Sequence, residues 1–365
     1  AHLFEHLMFG GSLNIPAYDE PLQRVGGENN AFTTNDITNY YIQVPSVNIE
    51  TAFWLESDRM LSLAFSEKSL NVQRNVVIEE FKQRYLNQPY GDVWLQLRPL
   101  AYREHPYRWA TIGKDISHIE QASMSDVKDF FRRYYHPANA LLVVAGDVTL
   151  DQVKQLAERW FGPVPASPVQ ARELPAEPAQ DEPRRKTVHA DVPLNALYKT
   201  WHMSGRKDPR FYTADLISDI LSRGTSSRLY RRLVKEKQLF SEINAYVTGS
   251  IDPGLFVLEG KVAKGVTLET AEGAVNEELQ SLAAGHVPEN ELIKVKNKIE
   301  STLVFSELNL LDKAMNLAYF ELLGDAGAYN EEKLKYQAVT REAIREEAGR
   351  IFRPENSTTL HYLAN

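Results

Sequence analysis

DVKDFFRRYYHPANALLVV, residues 126–144, is answered late in the chain by AIREEAGRIFRPENSTTLHY, residues 343–362. Each runs from an amphipathic helix through an aromatic residue, a proline, a short spacer and an asparagine into an apolar stretch that reads as a strand. Pro137 corresponds to Pro354, and Asn139 to Asn356, at one common offset. A second correspondence lies upstream, where AHLFEHLMFGG (1–11) meets ADLISDILSRG (214–224) at nearly the same offset. Two copies of one unit, each of ordinary domain size, account for this order. The expected fold class is α+β: two homologous domains, each an antiparallel-rich sheet packed with helices. The stretch PVPASPVQARELPAEPAQDEPRRK (163–186) is rich in proline and has neither helical nor strand periodicity, so it reads as a stiff, exposed connector. The expected division is a metal-bearing domain at 1–162, a linker at 163–186 and a second domain without a metal motif at 187–365.

Bulk properties narrow the function. At 365 residues the chain is too long for one ordinary core. A net charge of −8 argues against a general nucleic-acid or anionic-membrane binder, because both partners need a basic face. No apolar run is long enough to span a bilayer. The chain has no cysteine, so any metal must sit on His, Asp or Glu, and no redox compartment is selected. Alternation predicts strands in TNYYIQV (38–44), ALLVVAG (140–146) and LFVLEGKV (255–262). Helical spacing marks NIETAFWLESDRML (48–61), LNVQRNVVIEEFKQRYL (70–86) and TLDQVKQLAERWF (149–161), the last opened by a Thr149/Gln152 capping box. Helices are also expected over 267–283 and 289–303.

The first helix carries the chemistry. In HLFEH (2–6), His2 and His6 are four apart and project from one face, with Glu5 beside them. The order His-x-x-Glu-His reverses the common zinc-peptidase order. Two neutral imidazoles can bind zinc while the carboxylate takes a proton from a water that attacks a carbonyl carbon. With nine histidines in the chain, such a pattern arises by chance on the order of one or two times in a hundred. The second copy has Asp215, Ser218 and Asp219 at these positions. A zinc site of this kind needs a third protein ligand. The acidic pair Glu79-Glu80 lies in a helical segment, but neighbours on a helix diverge by about 100°, so at most one can face the site. Spacing alone does not choose between them. The remaining histidines are scattered without ligand spacing and read as structural or exposed.

HLFEHLMF, GGENNAFTTNDITNYY and RNVVIEEFKQRYLNQPYG together resemble the pitrilysin, insulin-degrading enzyme and mitochondrial processing peptidase family of zinc endopeptidases. The resemblance continues through HPYRWATIG, YYHPANALLVVAGDV and GTSSRLYRRL. It implies that the third ligand is a glutamate far downstream of the second histidine. Glu80 matches that register after Val76-Val77, with Glu79 the fallback. Family members often carry another glutamate one helical double-turn earlier, where this chain has Gln73, a group that can hydrogen-bond in the ligands' surroundings but adds no charge. The resemblance also makes NNAFTT an exposed edge strand to which a substrate peptide adds, with Asn30, Ala31 and Phe32 as binding positions. It further implies that residues 1–162 lack the strands that precede the metal helix in relatives.

One departure matters. Active relatives usually carry an Arg and, seven residues later, a Tyr after the SRL stretch of the second domain; here Val234 and Ser241 occupy those positions. The resemblance then points to the zinc-bearing subunit of a heterodimer whose homologous partner supplies the Arg/Tyr pair, with a homodimer the weaker option. The expected activity is zinc-dependent hydrolysis of oligopeptides or unfolded segments, with Glu5 as general base, His2, His6 and Glu80 as ligands, and one Zn2+ per chain. The alternative is a noncatalytic scaffold or chaperone-like subunit of the same fold.

Overall fold

The computed structural model describes residues 1–169 and 172–365. It is a mixed helix-and-sheet structure with one sheet of two strands and one of five. The chain gathers into two compact units: residues 1–84, 110–173 and 307–326 form the first, and residues 85–109, 174–306 and 327–365 the second. No helix among the described residues is long and apolar enough to cross a membrane.

In the first unit, strands β1 (Glu28–Thr33) and β2 (Thr38–Gln43) form an antiparallel hairpin with Thr33 opposite Thr38. Thr34 shapes its turn, because the Thr34 hydroxyl oxygen accepts the N–H groups of Asp36 and Ile37, each at 3.1 Å. The helix His2–Leu7 is far too short to persist alone and is held by its packing. Phe4, Leu7 and Met8 are buried with Leu63, Leu70 and Val127. The Phe4 ring lies 4.5 Å from that of Tyr135 and 5.2 Å from that of Phe130, both centroid to centroid. This face fixes the rotation of the helix, leaving His2 and His6 on another side. Phe4→Ala is therefore expected to destabilise the first unit by about 3–5 kcal/mol in urea titration; a cost below about 1 kcal/mol would mean that other contacts set the helix.

The helix Glu67–Phe81 begins at Ser66, whose side chain accepts the Ser69 N–H, and it buries Leu70, Val77 and Phe81. It continues as a π-helical turn over Lys82–Leu86. The helix Leu150–Phe161 is capped by Thr149, which accepts the Gln152 N–H at 3.2 Å. The expected strand at 140–146 does not form: this stretch joins no ladder among the described residues, and Leu141 and Leu142 are exposed. Alternation gives an extended backbone, but a strand also needs a neighbour to hydrogen-bond with, which no described segment supplies.

The second unit is built on β3 (Arg184–Ala190), β4 (Ala196–His202), β5 (Phe240–Val247), β6 (Leu255–Val262) and β7 (Ser357–Ala364), in the order β3-β7-β4-β6-β5. Only the β3–β7 pairing is parallel. β3 starts inside the proline-rich stretch, at Arg184. Helices Arg210–Ser222, Leu268–Ala283 and Arg341–Ile351 contribute Leu216, Ile220, Val275 and Ile344 to a core shared with Phe256 and Leu258 of β6. Val93 and Leu97, from the helix Val93–Ala101, pack with Ala196 and Leu360, so a helix from the first half of the sequence belongs to this unit.

The repeated motif has a physical basis. The helix Met124–Tyr134 is followed by a 3₁₀ turn at Pro137–Asn139, and the helix Arg341–Ile351 by one at Pro354–Asn356. In each copy the asparagine amide donates to a carbonyl at the end of the preceding helix: Asn139 to Tyr134 O at 2.9 Å, Asn356 to Ile351 O at 2.8 Å. The last carbonyls of a helix have no partner within it, and this side chain satisfies one. Proline stops the helix and asparagine ties off its end. The second copy then enters β7, and the first runs into the unpaired 140–146 stretch.

Candidate metal centre

His2, His6 and Glu80 converge in the first unit, each offering one ligand atom within 4.8 Å of the others; no other group of three such residues gathers among the described residues. Glu80 Oε2 lies 3.5 Å from His2 Nε2 and 3.3 Å from His6 Nε2. An ion held tetrahedrally with bonds of about 2.0–2.1 Å keeps its donors about 3.4 Å apart, so the Glu80 oxygen stands at ligand spacing from each imidazole. The two imidazole rings stand 4.8 Å apart, edge to face. The side chains of His2, His6 and Glu80 are 11%, 24% and 21% exposed, which leaves them partly shielded but reachable. Burial pushes the His2 imidazole down to about 4, against the pull of the Glu80 carboxylate, so at neutral pH it is the uncharged form that ligation requires.

The phase of the helix Glu67–Phe81 separates the acidic pair. With Leu70, Val77 and Phe81 turned inward, Glu80 meets the histidines, whereas Glu79 lies in solvent and pairs with Lys82 at 2.7 Å. Gln73, two turns before Glu80, is half-buried and makes no hydrogen bond to His2, His6 or Glu80. The group that does reach Glu80 is Arg84, whose Nε lies 3.2 Å from Oε1. Its position four residues after Glu80 is a helical pairing distance, a signal present in the sequence but not singled out there.

Glu5 is buried beside the histidines, and its Oε2 accepts a hydrogen bond from the Thr33 hydroxyl at the end of β1. Sequence reading passed over Thr33. Along β1, the Thr34 N–H donating to Ile37 O at 2.8 Å sets the alternation of the ladder. The even-numbered residues exchange hydrogen bonds with β2, and the backbone groups of Asn29, Ala31 and Thr33 point to the other edge. No described strand pairs there. The Ala31 N–H is covered by its neighbour's own side chain, donating to Asn30 Oδ1 at 2.8 Å. Phe32 is 37% exposed.

In the second unit, Val234 packs against the core and the Ser241 hydroxyl donates to Lys261 O at 3.2 Å. The counterparts of the first-helix motif serve local structure there. Asp215 accepts the Tyr336 hydroxyl at 2.6 Å, Ser218 donates to Asp215 O at 2.8 Å, and Asp219 pairs with Arg223 at 3.4 Å. Burial raises the Asp219 carboxyl to about 6.

A mixed helix-and-sheet fold with two histidines and a glutamate gathered in this way is that of the zinc-protease-like proteins. Residues 1–114 match the family model described as insulinase (peptidase family M16), and residues 121–299 match that of the peptidase M16 inactive domain. The chain belongs to the M16 peptidase family. It is 29% identical to zinc protease PqqE of Helicobacter pylori, over 99% of this chain and 82% of that one. A crystal structure of a protease from Helicobacter pylori superposes with a TM-score of 0.94 at 28% identity, covering all of this chain and 89% of the other. A probable mitochondrial-processing peptidase subunit beta of Arabidopsis thaliana is 24% identical over 83% of this chain and 59% of its own length.

Proposed function

We propose that the chain is the zinc-bearing subunit of an endopeptidase that cuts oligopeptides or unfolded segments. The observation that carries this reading is the convergence of His2, His6 and Glu80, the Glu80 oxygen standing at zinc-ligand spacing from both imidazoles, with Glu5 on the same helix as the histidines. Zinc held there would supply Lewis acidity, making water a better nucleophile and polarising the scissile carbonyl. The chain's own residues do the rest. A peptide adds to the open edge of β1, where Ala31 offers backbone hydrogen bonds, flanked by the side chains of Asn30 and Phe32, so binding demands little of the peptide's sequence. Asn30 Oδ1 yields the Ala31 N–H to the incoming carbonyl. Glu5 takes the proton of the attacking water at Oε1, the oxygen that Thr33 leaves free, and returns it to the departing amide nitrogen.

Val234 and Ser241 supply neither guanidinium nor phenol, which favours a homologous partner that brings an Arg/Tyr pair over a homodimer. The subunit character of the processing-peptidase relative is consistent with that division. The inactive-domain model over residues 121–299 favours a noncatalytic role for that part of the chain and leaves the His2–Glu80 site outside it.

Co-purification from the native source, with metal analysis and a peptide-hydrolysis assay, tests both parts. The expected result is stoichiometric zinc, weak turnover by the chain alone and at least about a tenfold rise when the partner is restored, as loss of a positioned transition-state contact implies. Full turnover by the isolated chain would remove the partner from the scheme, and a native complex without zinc would favour the noncatalytic scaffold.

A further inference from the structure

Glu5 is not a free carboxylate. Its helix has only six residues, and a glutamate there has several rotamers open to it. One of its oxygens, Oε2, accepts the Thr33 hydroxyl. The Thr33 and Thr38 hydroxyl oxygens lie 3.1 Å apart, across the last pair of the hairpin. A hydroxyl has one proton to give; that of Thr33 goes to the carboxylate, so the proton between the threonines comes from Thr38. The alternation set by Thr34 and Ile37 makes Thr33 and Thr38 a non-hydrogen-bonded pair, the kind that brings side chains closest. Thr38 in turn neighbours the Tyr135 phenol, which hydrogen-bonds the Tyr40 phenol at 2.7 Å. Tyr40 is itself fixed: the buried Arg59 guanidinium lies 4.5 Å from its ring centre and 4.7 Å from that of Tyr18, and pairs with Glu56. The carboxylate thus hangs from a row of hydroxyls that ends in a packed aromatic and guanidinium cluster.

We infer that Thr33 is a positioning residue for Glu5, holding Oε2 so that Oε1 faces the attacking water. The inference rests on the reading of Glu5 as proton acceptor. Thr33 also closes the strand whose open edge carries Ala31, so one strand both receives the peptide and aims the base.

Thr33→Val keeps the side-chain shape and the strand preference while removing the hydroxyl. In the native complex it is expected to lower kcat by about 10–100-fold with KM and zinc content little changed, the usual scale for loss of a group that orients a reacting residue. Thr33→Ser recovers most of the loss. Crystals of the metal-free chain give a readout independent of turnover: Glu5 leaves its place beside residue 33 in Thr33→Val and keeps it in Thr33→Ser. A Thr33→Val enzyme with normal kcat, or Glu5 unmoved in its crystals, overturns the inference, as does a Thr33→Ser variant as impaired as the valine. Should Thr33→Val not fold, Thr38→Val removes the proton that feeds Thr33 while leaving the Thr33 hydroxyl in place, and a fall in kcat of about 3–10-fold is expected; no fall would count against the inference equally. Glu5→Gln in the same preparation separates the two levels. If it hydrolyses normally, the reading of Glu5 itself has failed, and if it is inactive while Thr33→Val is fully active, only the role of Thr33 falls.

Discussion

Glu5→Gln is expected to keep zinc bound and to lower kcat by about a thousandfold, within the range that a positioned general base contributes. The substitution is close to isosteric. Its amide oxygen can still accept the Thr33 hydroxyl that Glu5 Oε2 accepts now, so the side chain stays in place and the hairpin is undisturbed. What disappears is basicity: an amide cannot take a proton from water near neutral pH. A thousandfold corresponds to about 4 kcal/mol of transition-state stabilisation. KM should change little, because the β1 edge proposed to receive the peptide is intact. Parallel measurement of kcat, KM and metal content decides the matter. Unchanged kcat moves the proton acceptor elsewhere, and loss of zinc would make Glu5 part of the metal's support instead.

The parts of this site that were legible in the sequence are those fixed by local geometry. His2 and His6 are four apart on one helix, and four apart on a helix means one face. Two strands were legible for a similar reason, since TNYYIQV alternates and formed β2, and LFVLEGKV matches β6 residue for residue. The choice between Glu79 and Glu80 was different in kind. It depends on the rotational phase of the helix Glu67–Phe81, which is set by what Leu70, Val77 and Phe81 pack against, and spacing within the helix does not report that. Thr33 was hidden for the same reason: its partner is 28 residues away in sequence and becomes a neighbour only when the hairpin lies against the first helix. The unpaired 140–146 stretch shows the limit of periodicity, which describes one strand's faces but not the existence of a second strand. The exchange of segments between halves was equally out of reach. The helix Val93–Ala101 is buried in the second unit's core and residues 307–326 belong to the first unit, although the proline-rich stretch suggested a single crossing point.

The duplication carries a related lesson about which residues a fold needs and which a site needs. Both copies keep the proline that stops a helix and the asparagine that ties off its end, because each copy has a helix to finish. Only the first copy keeps the histidines. In the second, Asp215 is half-buried and held by Tyr336, and Asp219 is buried and paired with Arg223, so the same helical positions have become hydrogen-bond anchors. A buried carboxylate needs such partners, and a metal site needs its donors left free of them.

Glu80→Ala against Glu79→Ala gives the second large effect, and the contrast is sharper than either variant alone. Glu80 brings the only negative charge to the cluster of three, and without it two imidazoles remain. Loss of an outer partner of a ligand already costs about 10–100-fold in metal affinity, so loss of a ligand should cost about 100-fold or more. Chelator competition on the purified chain measures this directly, and hydrolysis by the complex should fall in step. Glu79→Ala removes the same chemical group one residue away. Its carboxylate is 60% exposed and paired only with Lys82, and exposed pairs of this kind contribute about 0–1 kcal/mol, so metal affinity and stability should barely move. The reverse outcome, zinc released by Glu79→Ala and retained by Glu80→Ala, would require the helix to sit rotated by about 100° from the phase that Leu70, Val77 and Phe81 impose. Because that rotation would expose three core residues, the pair of substitutions tests the packing of the helix and the identity of the third ligand together.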